Sequence, residues 1–214
     1  MLANGFKCEY LNNNHMKTPK ILFKYSWIYD QNWKEWIKNY KTKNLKYPST
    51  KKVLNYTVKV EKIWRNYEKN ILSELSRITG LKWKEDFIYC YVVGNCRPFS
   101  NPLTMPVYND KGYFVDTLIH ELIHQLFTQE GNMKQTTEAW KYINRKYRNE
   151  TVRTRTHIPL HAILSYIYII FFDEKRLKRD IISKSFFYDY KRAWQIVQQE
   201  GYQNIIHEFI KRIK

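Results

Sequence analysis

Residues 115–129 read VDTLIHELIHQLFTQ, and the rest of the chain is read outward from them. Val115, Leu118, Ile119, Leu122, Ile123 and Leu126 recur at threes and fours, the period of a helix with one apolar face. His120, Glu121 and His124 take the remaining arc. Two imidazoles four residues apart lie one above the other and can share a metal ion. The carboxylate beside the first is placed to take a proton from water at that ion. With 6 His and 20 acidic residues, chance yields such an HExxH pentamer on the order of once in a hundred chains. Burying a polar trio on an apolar helix is costly unless the trio is paired or metallated. That favours a metal over two idle surface histidines. Asp116 is a candidate cap for this helix, which runs to about Gln129 and stops at Gly131-Asn132.

A catalytic zinc site needs a third protein ligand and one open position. Two places in the sequence supply candidates. Glu138 follows a reversal at Gly131-Asn132, and a returning helix would bring it back to the level of His124. Its competing reading is a first-turn glutamate favoured by the helix dipole. His157 and His161, in THIPLHAILSYI, form a second pair four apart, opening the most apolar helix of the chain. If all four histidines bound one ion the site would be closed, so one is assigned as ligand and one as oxyanion donor. His161, deeper in its helix, is the expected ligand beside His120 and His124. His157, near the helix start, is the expected transition-state stabiliser beside the base Glu121. The third ligand stays open among His161, His157 and Glu138. Tyr113 and Tyr166 are alternative oxyanion donors.

Working outward, residues 87–94, FIYCYVVG, make the clearest strand, and 19–29 carry a second strand-like run. Within the proline-containing loop 95–110, the segment 102–108 reads as a short edge strand, where proline is tolerated. Helical spacing covers 30–47, closed by Pro48, and one long amphipathic helix spans 51–79 with Gly80 as its stop. After the central helix, helices are expected over 136–148, from a Thr156 cap with Pro159 in its first turn, and over 174–199 and 201–213. The expected organisation is a loose segment 1–18 and a single α+β domain over 19–214. Its α+β part is 19–115 and its helical part 116–214.

The 214 residues carry 37 Lys+Arg against 20 Asp+Glu, a formal charge of +17, which favours anionic partners and says nothing of fold. Lys/Tyr-rich stretches at 34–52 and 141–156 motivate a rival reading, a basic nucleic-acid-binding protein with a structural metal or none. Lysines spread over solvated faces are the plainer account of the same charge. Three cysteines without paired spacing do not make a disulfide frame, and no apolar leader opens the chain. Both point to a reducing, cytoplasmic setting. The longest apolar run, 160–172, is too short to span a bilayer, so no transmembrane segment is expected.

His120, Glu121 and His124, the preceding strand–loop–strand pattern and the helical half that follows resemble the zincin metallopeptidases, over roughly residues 87–172. The chain lacks the further His and Gly of metzincins, an NExxSD-type motif and the glycine-bearing signature of SprT-like proteases. The resemblance implies a small mixed sheet whose edge strand packs on the HExxH helix and pairs with an extended peptide. It also implies Zn2+ on His120 and His124, with Glu121 as general base. The expected activity is zinc-dependent hydrolysis of a peptide bond in a peptide or protein substrate.

Overall fold

The computed structural model describes residues 17–40 and 46–214. Nearly all of the expected loose segment 1–18 lies outside them. The architecture is mixed α+β and rich in helix. Strand β1 (Lys20–Lys24) is followed by α1 (Trp27–Tyr40), α2 (Thr50–Arg65) and α3 (Glu68–Thr79). Strands β2 (Phe87–Val93), β3 (Phe99–Ser100) and β4 (Leu103–Pro106) come next. The remaining elements are α4 (Lys111–Thr128), α5 (Asn132–Gln135), α6 (Thr137–Lys146), α7 (Val152–Phe171), α8 (Glu174–Lys184), α9 (Tyr188–Glu200) and α10 (Tyr202–Ile210).

The sheet order is β1-β2-β4-β3. β1 and β4 run parallel to β2, and β3 runs antiparallel to β4. In β2 the alternation Ile88, Cys90, Val92 buries one face. Tyr91 faces the other way and meets Tyr29 of α1 edge-on at 5.5 Å. The segment 102–108, expected at the edge, is corrected: β4 lies inside the sheet and β3 is the edge. The Asn101-Pro102 turn folds Phe99 and Ser100 back onto β4, covering the side the prolines were thought to leave open.

Several helix boundaries also differ from the sequence reading. The expected helix 51–79 is two helices. Glu68 fixes the break, because its Oε1 accepts from Arg65, Trp64 Nε1 and the Ile21 amide of β1. A carboxylate with those partners does not continue a smooth apolar stripe. The 174–199 helix also divides, at Ser185–Phe187. The central helix α4 starts earlier than expected, since Asp110 caps it by accepting from the Gly112 amide at 2.7 Å. Asp116 is therefore inside the helix and wholly buried. There it meets Arg176 at 2.5 Å and Arg179 at 2.6 Å. Burial still wins over the two guanidiniums and raises its pKa. Helix α7 is capped by Thr151, not Thr156, which leaves Pro159 within the helix and the Arg155 carbonyl without its usual amide.

One apolar core runs through both parts of the chain, from Ile21 and Trp64 through Phe114, Leu118 and Leu122 to Trp194 and Phe209. Helix α4 lies in its middle, buried on nearly all sides. No helix among the described residues is long and apolar enough to cross a membrane.

Candidate metal centre

Helix α4 supplies His120, Glu121 and His124, and α7 crosses it with His157 and His161. The rings of His120, His124 and His157 form a nearly equilateral triangle. Their centroids are 5.0 Å apart for His120–His124, 5.3 Å for His120–His157 and 5.1 Å for His124–His157. One nitrogen from each lies within 4.8 Å of the others. Among the described residues this is the group of side chains arranged to hold a metal ion.

The three rings suit that task chemically. His157 Nδ1 lies 2.7 Å from the Arg153 carbonyl, one turn back on α7. A carbonyl only accepts, so Nδ1 carries the hydrogen and Nε2 keeps its lone pair. That Nε2 is buried with no hydrogen-bond partner, as is His120 Nδ1. Burial is the first cause that holds all three imidazoles neutral. It pushes His120 well below its ordinary value, His124 to about 3 and His157 to about 4. Neutral imidazole is the ligating form.

Of the three residues open for the third position, the structure brings His157, and not the preferred His161, into the group. His161 is outside the group. It is wholly buried one turn further along α7, and its ring stacks on Trp194 of α9 at 4.2 Å and 12°. Its ring is still 6.0 Å from that of His120, against 5.3 Å for His157, but its nitrogens do not join the group. His157 accordingly has a nitrogen within 4.8 Å of those of His120 and His124, and does not stand apart in the separate oxyanion position it was expected to fill. Glu138 is exposed and pairs with Lys141 at 2.9 Å. The returning helix α6 does come back beside His124, but it presents Thr137, Trp140 and Asn144. These share with His124, Phe127 and Met133 a cavity of about 490 Å³.

Glu121 is almost entirely buried. Desolvation, opposed in part by Lys184, raises its carboxyl to about 7. Two residues that the sequence did not single out complete the surroundings. Tyr190, in the first turn of α9, brings its ring to 4.4 Å from His157 and 6.1 Å from His120. Lys184, at the end of α8, has Nζ 5.2 Å from the Tyr113 ring and 6.0 Å from that of Tyr190. Burial opposes its charge, but Asp180 and Tyr113 outweigh burial and keep the ammonium protonated. Tyr113 thus belongs to this neighbourhood. Tyr166 does not: its hydroxyl donates to Glu74 at 2.5 Å and lies 2.7 Å from Arg77, against α3. One of 18 tyrosines carries no mark in sequence that would have picked out Tyr190.

The site is tied to the sheet edge and to α9. Gln125 donates to the Ser100 carbonyl of β3 at 2.7 Å. Asp189 accepts from Thr151, the cap of α7, at 2.5 Å. The chain matches no protein-family model, no curated protein and no solved structure.

Proposed function

We propose that this chain is a zinc-dependent hydrolase acting on peptide bonds, with zinc held by His120, His124 and His157. The observation that carries the reading is the triangle of three neutral imidazoles, two buried and His124 half-buried, beside a carboxyl raised to about 7. Three histidines leave the fourth position of a tetrahedral ion open, as a catalytic site requires. Zinc, when bound, supplies Lewis acidity that acidifies water and polarises a carbonyl. Glu121 takes the water proton and hands it to the leaving amine, and a carboxyl near neutral pH is suited to both transfers. Tyr190, whose ring lies 4.4 Å from that of His157, steadies the developing oxyanion, with Lys184 adding positive charge beside it.

The sheet edge beside α4 supports the substrate class. An antiparallel edge strand, β3, lies beside the HExxH helix through the Gln125–Ser100 bond. An extended chain can add to such an edge by main-chain hydrogen bonds. The recess beside His124, floored by Phe127 and Trp140, suits an apolar side chain next to the scissile bond. The test is bound zinc per chain together with hydrolysis of a quenched peptide library. Wild type should hold one zinc and cleave. Glu121→Gln should hold zinc and not cleave, and His120→Ala should do neither. Cleavage by metal-loaded Glu121→Gln would remove the proposed base.

A further inference from the structure

A second recess lies on the outer side of α2. It has a volume of about 470 Å³ and is lined by Lys51, Lys52, Lys59 and Lys111, with Tyr56 and Tyr108 in its wall. None of the four lysines has an ion-pair or hydrogen-bond partner among the described residues. The carboxylate nearby, Asp110, is already committed to Arg179 and to the Gly112 amide. Lys52, Tyr56 and Lys59 are spaced by four and three, so they share one face of α2. Lys52 and Lys59 stand roughly 10 Å apart along its axis at 1.5 Å per residue. Tyr56 is fixed from below, its hydroxyl accepting from the Tyr108 amide at 3.2 Å, and Tyr108 is half-buried, edge-on to Tyr113 at 4.9 Å.

Four like charges around one concave space repel one another, and nothing in the fold offsets them. A surface under no other demand separates such charges. We infer that this recess binds the phosphate backbone of a single-stranded nucleic acid. The lysines meet phosphates and Tyr108 offers a ring face to a base, the pairing of cationic groove and aromatic platform that single strands use. A recess of this size takes one or two flexible nucleotides, with the lysines at its rim reaching the phosphates that flank them, whereas a duplex presents a convex rod. The site is independent of the metal centre and places the bound strand at the start of α4. Lys111 precedes His120 by nine residues, roughly 14 Å of helix.

The experiment measures fluorescence anisotropy of a labelled mixed-sequence single-stranded oligonucleotide as a function of salt. It compares wild type with Lys51→Gln/Lys52→Gln/Lys59→Gln/Lys111→Gln. A control of equal net charge replaces the exposed Lys82, Lys134, Lys175 and Lys191 by Gln. The first variant should bind at least tenfold more weakly at moderate salt. Its slope of log K against log[salt] should be shallower by about 3, since each single-strand phosphate contact contributes about 0.7. The control should keep the wild-type slope to within about 1. The double variants Lys51→Gln/Lys52→Gln and Lys59→Gln/Lys111→Gln should each lose about half of the slope, which reads the site even if the quadruple variant misfolds. Equal losses in the control would assign the binding to diffuse charge and overturn the site. So would wild type that ignores the strand, or that prefers polyglutamate or phosphatidylserine vesicles through these same lysines.

Discussion

The two histidines of α7 should separate completely when each is replaced by alanine. His157 contributes a nitrogen to the triangle, and His161 does not. Take zinc at a thousand times its dissociation constant, where a ligand that binds only the folded state stabilises it by about 4.1 kcal/mol. Changes to groups that merely support a ligand cost 10–100-fold in affinity, so losing the ligand itself is set at about 100-fold. At the same zinc concentration the stabilisation falls to about 1.4 kcal/mol, a loss of about 2.7 kcal/mol. For a chain of this size 1 kcal/mol moves Tm by about 2–4 °C. Zinc should therefore raise the wild-type Tm by about 8–16 °C and that of His157→Ala by about 3–6 °C. His161→Ala should behave in the opposite way. Its ring is wholly buried against Trp194. Its removal should cost about 2–3 kcal/mol of metal-free stability through the cavity left behind. The rise with zinc should survive. Differential scanning fluorimetry of chelator-treated protein, with and without added zinc, reads both quantities. A zinc increment that disappears in His161→Ala and persists in His157→Ala would refute the assignment of the triangle.

Four further outcomes follow from the geometry. Glu121 is raised to about 7 in the folded state, above its unfolded value, so its stabilising contribution is complete below pH 4.5 and is lost as pH rises toward 7. Metal-free Glu121→Gln should therefore gain Tm over wild type at pH 8 and lose that gain at pH 4.5, and a pH-independent difference would contradict the burial argument. His157 has the opposite sign. Burial depresses its folded value to about 4, so metal-free wild type should weaken as pH falls from 6.5 toward 4, and the slope should lessen in His157→Ala. Asp116→Ala would strand Arg176 beside a buried gap and should lower stability by about 3 kcal/mol in urea titration at unchanged m, whereas a loss under about 1 kcal/mol would mean the pair is structurally idle. Tyr190→Phe should keep zinc and KM but lower kcat by about 100-fold, and unchanged kcat would remove it from the oxyanion role.

The parts of this molecule written in local spacing were legible in the sequence. The strand at Phe87–Val93 announced itself by alternation, and the two histidine pairs by helical period. The choice between His157 and His161 was not legible. Both lie on one face of α7, and only the crossing of α7 over α4 decides which turn meets His120. That crossing depends on a core that draws together residues far apart in sequence, Leu122, Ile158 and Trp194 among them. The break between α2 and α3 was hidden for a related reason. Glu68 reads as an ordinary surface glutamate until its carboxylate is seen to meet the Ile21 amide of β1. Asp116 was read as a cap because its arginine partners lie 60 and 63 residues away. The placement of Tyr190 and Lys184 depends on the turn at Ser185–Phe187, which breaks a periodicity the sequence carries through without interruption.

The first turn of α7 has a double duty. Its Arg153 carbonyl sets the tautomer of His157, and its capping Thr151 is fastened to Asp189, the immediate neighbour of Tyr190. Unwinding that single turn would therefore release an imidazole and displace a phenol at one stroke. The proposed catalytic apparatus would then fail as a unit, losing its grip on the ion and the placement of the hydroxyl together. Amide exchange at Thr154 and Arg155 would report that shared opening, and ion binding should slow it.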